Sequence, residues 1–296
     1  MIHLRTMAQS DLQKELRAAV LAARNADGGW GYQAGKASRL EPTSWALMAL
    51  ARSDRRATDA EVLRKWPTDR QWLADVAGAP ANISFNGLAA LSLLDDPNGA
   101  AGAALLARLI LSTKGRKLEQ SSVFRQDNSL QAWPWVDGTF SWVEPTCWCL
   151  LLVKKLRKQL GAGADDRIGV AEAMLRDRAC RDGGWNYGGS NVYGQELYPY
   201  VSTTALGLIA MQDRTGDPIV TRALQRLEQT YTSEPTSMAL ALTVIALETH
   251  QRPRDAARAL LAQRLLKPDA TTSTLGRAMS LYALTDSPDG HATFKL

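Results

Sequence analysis

The sequence is poor in cysteine and histidine and has no long apolar run. Of its 296 residues, 3 are cysteine and 3 are histidine. An odd, small number of cysteines in a chain of this length argues against a disulfide framework and fits a reducing compartment. The first residues lack the apolar stretch of a signal peptide, and the longest apolar run, 238–247, is too short to span a bilayer. We therefore expect a cytoplasmic protein.

No isolated basic block and no strand pattern stand out either. The formal net charge is +5 and the isoelectric point about 9.2, but lysine and arginine are spread along the chain with carboxylates among them. Such a distribution is typical of a solvated surface, so we expect no nucleic-acid partner.

What the chain does contain is a repeated phrase. Asp-Gly-Gly-Trp-Gly-Tyr at 27–32 and Glu-Pro-Thr-Ser-Trp-Ala-Leu at 41–47 return in altered form at 136–150, 182–187 and 234–242. The common rule is a turn, a Ser or Thr, and then a run rich in Ala and Leu. It finds six openings, near Thr43, Ser84, Thr146, Ser202, Thr236 and Thr274. Six units of roughly 49 residues each hold two helices and their loops.

The two halves of each unit differ in polarity. Six runs are apolar nearly all round, which predicts inner helices at 45–52, 85–94, 147–156, 204–212, 238–248 and 275–284. Amphipathic, charged segments precede them, which predicts outer helices at 11–24, 59–72, 100–112, 165–179, 218–231 and 253–265. Six such hairpins close most simply into a ring. We predict an all-α fold, an (α/α)6 toroid that forms a single domain over 1–296.

The paired phrases at 27–32 and 43–50 resemble the QW-type repeats of squalene–hopene cyclases, oxidosqualene cyclases and protein prenyltransferase β subunits. The resemblance implies a toroid with an isoprenoid in its central cavity and catalytic groups at the N-terminal ends of inner helices. When Thr43 is aligned with the threonine of the Asp-x-Asp-Asp-Thr-Ala motif of class II terpene cyclases, Glu41 takes the position of the proton-donating carboxylate. Arg39 and Pro42 replace the motif's other aspartates.

The zinc ligands of the prenyltransferases are absent. Asp137 keeps one ligand position, but Thr139 and Pro145 replace the required thiolate and imidazole. Cys147 and Cys149 are two residues apart on a predicted helix and project in different directions. We predict no metal and no other cofactor.

Three glutamates share the sequence Glu-Pro-Thr before predicted inner helices of alternate units: Glu41, Glu144 and Glu234. In a six-unit ring these carboxylates would converge on one mouth, where shielding from water raises the pKa of each. We predict Glu41 as proton donor, Glu144 and Glu234 as modulators of its pKa, and Asp137 as an auxiliary carboxylate. The alternative is structural, because Pro, Thr and Glu all favour the first turn of a helix.

Aromatic residues crowd the loops before the inner helices. Trp30 and Trp185, in Gly-Gly-Trp turns, suit a structural role as links between hairpins. Trp45, Trp142, Trp148 and Tyr200 are the predicted lining of a ligand cavity, where aromatic faces would attract a carbocation. Segment 105–118, apolar with a basic end, fits a peripheral membrane contact or an outer helix. The Gly-rich segment 188–197 is predicted to be a mobile loop over the mouth.

Three functions remain open on these grounds. The first is a terpene cyclase-like or prenyltransferase-like toroid that binds an isoprenoid, with acid-initiated cyclisation or isomerisation. The second is a non-catalytic toroid that binds a ligand or a protein partner. The third is a carbohydrate-active (α/α)6 enzyme with paired carboxylates and stacking aromatic residues.

Overall fold

A computed structural model of the chain describes residues 2–53, 61–266, 273–287 and 292–296, with side chains from residue 9 onward. Its inner helices are α2 (Leu40–Ser53), α4 (Ile83–Leu94), α6 (Val143–Lys155), α9 (Val201–Ala210), α11 (Ser237–Thr249) and α13 (Thr274–Leu284). Around them lie α1 (Ile2–Ala22), α3 (Glu61–Arg64), α5 (Ala100–Ser112), α8 (Ala162–Arg178), α10 (Pro218–Thr230) and α12 (Asp255–Leu265). Short elements are α7 (Arg157–Leu160) and a 3₁₀ turn (Tyr231–Ser233).

The inner helices form a closed ring. Helix α2 packs between α13 and α4, α6 between α4 and α9, and α11 between α9 and α13. Nearly every residue of these helices is buried, as their uniformly apolar sequences require. An outer helix buries one stripe only; in α10 these are Val220, Ala223 and Leu227, spaced by three and four. The predicted (α/α)6 toroid is confirmed.

The second unit departs from the predicted helix at 59–72. Residues 59 and 60 lie outside the described part, and only α3 is helical in the rest. Pro67 has no N–H to continue the helix, and the chain turns into a hairpin of β1 (Thr68–Asp69) and β2 (Trp72–Leu73). The register pairs Thr68 with Leu73. A second hairpin, β3 (Asn191–Val192) with β4 (Gln195–Glu196), precedes α9, where the sequence showed no strand pattern.

Three buried tryptophans join the outer helices to the inner ones. The indole N–H of Trp30 donates to the carbonyl of Val20 at 2.7 Å, and its backbone N–H donates to Thr43 Oγ1 at 2.9 Å. Trp133 bonds in the same way to Ile110 and Thr146, and Trp185 to Leu175 and Thr204. The structural role predicted for Trp30 and Trp185 is therefore what the geometry shows. Trp133 is their counterpart in the third unit.

Gly207 shows how closely these tryptophans pack. A Cβ atom at this position of α9 would overlap the indole ring of Trp185. We expect Gly207→Ala to lower the free energy of unfolding by about 1–3 kcal/mol, because a methyl group forced into a filled core displaces its neighbours. The control is Gly169→Ala in α8, where a Cβ meets nothing within 4 Å. That change should stabilise the protein by about 0.5–1 kcal/mol. Urea denaturation of both variants decides the point, and equal effects would contradict the packing described.

The axis of the ring is filled by aromatic side chains. Phe294, 1% exposed, lies with its ring centroid 5.1 Å from Trp45, 5.5 Å from Trp148 and 5.0 Å from Tyr282. We call these four residues the aromatic plug. A cavity of about 10 Å³ remains beside it, roughly the room of one water molecule.

The C-terminal segment that carries Phe294 is tied to the C-terminal ends of the inner helices. Thr293 donates to Asp95 after α4, and Gln212 after α9 donates to the carbonyl of Phe294 at 2.8 Å. Lys155, the last residue of α6, donates to the carbonyl of Lys295. The segment therefore covers this end of the ring.

Segment 105–118 is an outer helix followed by a tethered loop. Leu106, Ala107 and Ile110 of α5 are buried in the core, and Gly115 N–H donates to the carbonyl of Ala132 at 2.9 Å. Across the described residues, we find no helix with the length and apolarity needed to cross a membrane.

Candidate functional site

Two of the three predicted glutamates occupy equivalent positions at the mouth of the ring. Glu41 is the second residue of α2 and Glu144 the second residue of α6. Each precedes a tryptophan of the plug by four residues, so it lies on the same helix face one turn nearer the N-terminus. The rings of those tryptophans, Trp45 and Trp148, meet edge to face with centroids 6.0 Å apart. The two carboxyl groups thus lie above one contact at the centre of the ring.

Glu41 is held by a short polar chain. The hydroxyl of Tyr32 donates to Glu41 Oε2 at 2.7 Å. The guanidinium of Arg39 lies 5.7 Å from the centroid of Tyr32 and donates through Nε to Asp75 Oδ2 at 3.0 Å. Asp75 Oδ1 in turn accepts from the backbone N–H of Leu40, the first residue of α2, at 2.8 Å. These contacts fix the start of α2 and therefore the place of its carboxylate.

The same groups act on the protonation of Glu41. Burial raises the pKa of Glu41, and the negative charge of Asp75 adds to this, whereas the hydrogen bond from Tyr32 and the positive charge of Arg39 lower it. Burial and the Glu41 charge raise the pKa of Tyr32, so its hydroxyl stays a donor. The pKa of Glu41 is raised overall, because burial outweighs the hydrogen bond and the cation, which only limit the rise.

The pKa of Glu144 is also raised, and neither a hydrogen bond nor a cation limits the rise. Burial, and after it the negative charge of Glu41, raise the pKa of Glu144 to about 8 from an ordinary value of 4.5. Glu144 is therefore mostly protonated at neutral pH, and the neighbour whose charge it feels ionises before it. Two carboxyl groups that ionise one after the other are suited to act as acid and base on one substrate.

Tyr32→Phe tests the polar chain. Loss of the hydroxyl removes a hydrogen bond that lowers the pKa of Glu41, so we expect that pKa to rise and the acidic limb of any pH–rate profile to move to higher pH. We expect kcat/KM to fall about tenfold, in line with the worth of a hydrogen bond to a charged group. Tyr231→Phe, which removes the hydroxyl of a half-buried tyrosine before α11, is the control. A profile unmoved by Tyr32→Phe would contradict the assigned role.

The other two predicted acids lie in different surroundings. Glu234 precedes α11, and its Oε1 accepts from the backbone N–H of Thr236 at 2.9 Å and from the Thr236 hydroxyl at 2.7 Å. Asp137 is exposed in a turn, and its Oδ1 accepts from Gly138 N–H at 3.0 Å. Glu41 is the charge that raises the pKa of Glu144, and Glu234 is used by its own turn. The structure thus pairs Glu41 with Glu144 and gives Glu234 and Asp137 local roles.

The four predicted aromatic residues divide into two sets. Trp45 and Trp148 are 1% and 5% exposed and belong to the aromatic plug, so they form the floor of the site and not an open wall. Trp142 and Tyr200 are the N-cap residues of α6 and α9 at the mouth. Trp142 stacks on Phe140 with centroids 4.4 Å apart, and Tyr200 on Tyr187 at 5.7 Å.

The cysteines beside the site are unsuited to nucleophilic chemistry. Cys147 and Cys149 are buried in α6, and burial raises the pKa of both thiols. A thiol is a poor nucleophile until it ionises. Among the residues for which the structure gives positions, no group of three or more His, Cys, Asp or Glu side chains is arranged to hold a metal ion.

Solved structures share this architecture. No protein-family profile and no curated protein sequence matches the chain. An α-mannanase of glycoside hydrolase family 76 from Bacteroides thetaiotaomicron matches with a TM-score of 0.61 and 11% identity, over 93% of this chain and 94% of that one. An α-1,6-mannanase of the same family from a Salegentibacter species, solved as an inactive variant with α-1,6-mannotriose, gives 0.59 and 10% over 93% and 98%. A family 76 glycoside hydrolase from a bovine Bacteroides thetaiotaomicron strain gives 0.61 and 12% over 94% and 77%.

The likeness is one of fold. At 10–12% identity it supports the toroid and carries no residue from those enzymes to this chain. It does overturn the predicted family, since the structures that match are family 76 glycoside hydrolases and not terpene cyclases or prenyltransferases.

The predicted isoprenoid ligand is wrong together with the predicted family. One matching structure holds α-1,6-mannotriose. In this chain the plug fills the axial cavity that an isoprenoid would need, because Phe294 packs against Trp45, Trp148 and Tyr282. The terpenoid cyclisation or isomerisation that was predicted from the resemblance has no support left.

Sequence reasoning missed three residues of the site. Tyr32 was not among the predicted site residues, although its place in the repeated phrase at 27–32, nine residues before Glu41, was a usable signal. Asp75 lies in the irregular second unit, 35 residues from the Leu40 N–H it binds, and no pattern points to it. Phe294 comes from the C-terminal segment outside the repeat, so the filling of the axis could not be foreseen.

Proposed function

We propose that the protein hydrolyses glycosidic bonds of an uncharged polysaccharide at the mouth of the ring, with Glu144 as proton donor and Glu41 as the ionised carboxylate. The observation that carries the proposal is the pair itself. Burial raises the pKa of Glu144 to about 8, whereas a hydrogen bond from Tyr32 limits the rise in the pKa of Glu41, whose charge acts on Glu144.

Glycoside hydrolysis needs this division of roles. Glu144 would protonate the oxygen of the leaving sugar as the bond to the anomeric carbon breaks. Glu41 would either attack the anomeric carbon or take a proton from the water that attacks it. The two routes give products of opposite anomeric configuration, so proton NMR of the first product reports which of them Glu41 follows.

The charges at the mouth favour a neutral sugar. Glu41 and Asp75 are both acidic, and the guanidinium of Arg39 is already paired with Asp75. A uronate group would be repelled by the ionised carboxylates, because like charges in a site shielded from water interact strongly. This argues for a hydrolase of neutral hexose polymers over a lyase of acidic ones.

The names of the matching enzymes support a neutral polysaccharide as substrate. Their acidic residues differ from the two glutamates proposed here. The enzymes are named as α-mannanases or as family 76 glycoside hydrolases. The Salegentibacter enzyme is inactive when two consecutive aspartates are changed to asparagine. In this chain, consecutive aspartates occur at 95–96, after the C-terminal end of α4, and at 165–166, in the outer helix α8. Neither pair lies at the mouth, so the acids proposed here come from two inner helices.

The test is to incubate the purified protein with α-1,6-mannose oligosaccharides and with a panel of neutral glucans, galactans and xylans, and to measure new reducing ends. Release from at least one of them, lost in Glu144→Gln, is the expected result. If no polysaccharide of the panel is cleaved, hydrolysis is excluded as the function for these substrates.

A second candidate is binding of the same ligand without cleavage. It is favoured by the position of the consecutive aspartates away from the mouth. Calorimetry would then show an affinity for one of these glycans that is the same in the wild type and in Glu144→Gln, without any release of reducing ends.

A further inference from the structure

Four of the chain's seven tyrosines lie within 14 residues at the mouth and point into solvent. Tyr187, Tyr193, Tyr198 and Tyr200, which we call the tyrosine rim, are 46%, 75%, 73% and 56% exposed. An exposed cluster of large aromatic side chains marks an interaction site more often than it serves the fold.

The backbone of the rim is held by hydrogen bonds, although its side chains are exposed. Hairpin β3–β4 turns at Tyr193 and Gly194, whose φ angles are +51° and +76°. A left-handed tyrosine is uncommon and persists only where its surroundings impose it. Here the N–H of Tyr193 donates to the carbonyl of Val123 at 2.8 Å, and Leu197 N–H donates to the carbonyl of Ser190 at 2.8 Å. Segment 188–197, predicted as a mobile loop, is thus a hairpin bonded to a neighbouring loop.

The rim is continuous with the carboxyl pair. The carbonyl of Tyr187 accepts from the N–H of Val143 at 3.0 Å, and Val143 directly precedes Glu144. Tyr200 caps α9, the inner helix next to α6, and its ring lies 5.7 Å from that of Tyr187 at 45°. Tyr187 and Tyr200 therefore lie beside the start of α6, and the segment between them carries Tyr193 and Tyr198.

The chemistry of the rim fits a sugar chain. A tyrosine offers an apolar face to the C–H groups of a pyranose and a hydroxyl to its hydroxyls, and it loses little conformational freedom when it binds. The charges of the hairpin are balanced, since Glu196 pairs with Arg125 at 3.1 Å. An uncharged polymer therefore meets no unpaired charge on the hairpin.

We infer that the tyrosine rim is a second binding surface, which holds the units of an uncharged polysaccharide beyond the bond that is cleaved. The inference rests on the proposed function and deepens it, because it makes the site one for chains and not for single sugars or disaccharides.

The experiment measures affinity against chain length in a Glu144→Gln background, where the ligand stays intact. Calorimetry with α-1,6-mannose oligosaccharides of three and six units gives the ratio of the two affinities. We expect Tyr193→Asn combined with Tyr198→Ser to lower that ratio about tenfold, the equivalent of two aromatic contacts. Asn is chosen at 193 because it tolerates the left-handed backbone. Leu105→Ser, at a 36% exposed position on the outer helix α5, is the control and should leave the ratio unchanged.

An unchanged ratio of affinities in the double variant overturns the inference, whether both affinities stay the same or both fall equally. A dimer of the wild type that the double variant loses in sedimentation would assign the rim to a second copy of the chain instead. The two proposals fail separately. A wild type that cleaves the six-unit chain while the ratio stays unmoved refutes the rim alone, whereas a wild type that neither binds nor cleaves any of these chains refutes both.

Discussion

Glu144→Gln is expected to lower the rate of glycoside hydrolysis by about 10²–10⁴-fold, the usual contribution of a positioned general acid. Glutamine keeps the size and polarity of the side chain but cannot deliver a proton to the leaving oxygen. Affinity for the intact substrate should change little, so the loss should appear in kcat. Steady-state kinetics on the substrate found by the panel measure both quantities.

Glu234→Gln is the matched control, because Glu234 has the same Glu-Pro-Thr sequence before an inner helix. Its carboxylate accepts two hydrogen bonds from Thr236, which caps α11. We expect a small loss of stability, about 1 kcal/mol, and activity within a few-fold of the wild type. A loss of activity equal to that of Glu144→Gln would instead favour a site of three carboxylates.

The pH dependence of protein stability reports the pKa of Glu144 without a substrate. Its pKa in the folded protein, about 8, lies above the ordinary 4.5 of the unfolded chain. The stability contributed by the protonated group is therefore complete below pH 4.5 and is lost as pH rises through 8. Glutamine cannot ionise, so Glu144→Gln should gain stability relative to the wild type over this interval. A difference between the two that does not depend on pH would contradict the raised pKa.

Phe294→Ala is expected to lower the free energy of unfolding by about 3–5 kcal/mol, as for other large aromatic residues removed from a core. Phe294 is 1% exposed and touches Trp45, Trp148 and Tyr282, which come from the first, third and last inner helices. Truncation would leave a cavity on the axis where these helices meet. The floor beneath Glu41 and Glu144 would loosen with it.

Urea denaturation of Phe294→Ala and of Lys295→Ala measures this effect. Lys295 is exposed, and its carbonyl, which a substitution keeps, makes the bond to Lys155. We expect Lys295→Ala to change stability by no more than about 0.5 kcal/mol. A cost below about 1 kcal/mol for Phe294→Ala would show that the axis is not packed as described.

The ring of helices could be predicted because one sequence pattern occurs six times along the chain. Six apolar runs that need burial on all sides, each opened by Ser or Thr, permit few arrangements, and the closed toroid follows. The outer helix predicted at 59–72 is wrong beyond α3, because Pro67 prevents the helix from continuing. The chain then turns back through Arg70 and Gln71, both of which have positive φ angles.

The family was mistaken because the motif that suggested it is structural. In the phrase around Trp30, the indole N–H binds an outer helix and the backbone N–H binds Thr43, which begins an inner helix. Trp133 and Trp185 repeat these bonds. Such a link serves any toroid of helical hairpins, whatever its ligand. Resemblance in these residues therefore carried information about fold and none about chemistry.

Part of the candidate site could be predicted from the sequence. Glu41 and Glu144 could be singled out because a repeat places them at the same point of two inner helices. The sequence predicts Glu41 as proton donor, whereas we propose Glu144, because Tyr32 and Arg39 act on Glu41 and Asp75 holds Arg39 and the start of α2 from an irregular loop. Glu234 shares the sequence of the pair but turns its carboxylate to Thr236, a difference of side-chain rotation that no sequence pattern shows.

The central claim is that Glu144 holds a proton at neutral pH and that the neighbouring Glu41 ionises before it. Carbon-13 NMR of glutamate carboxyl groups, titrated from pH 3 to 10 and assigned with Glu144→Gln and Glu41→Gln, tests it directly. We predict a pKa of about 8 for Glu144 in the wild type and a lower value in Glu41→Gln, where the neighbouring negative charge is gone. A Glu144 that titrates near 4.5 in both proteins would contradict the account.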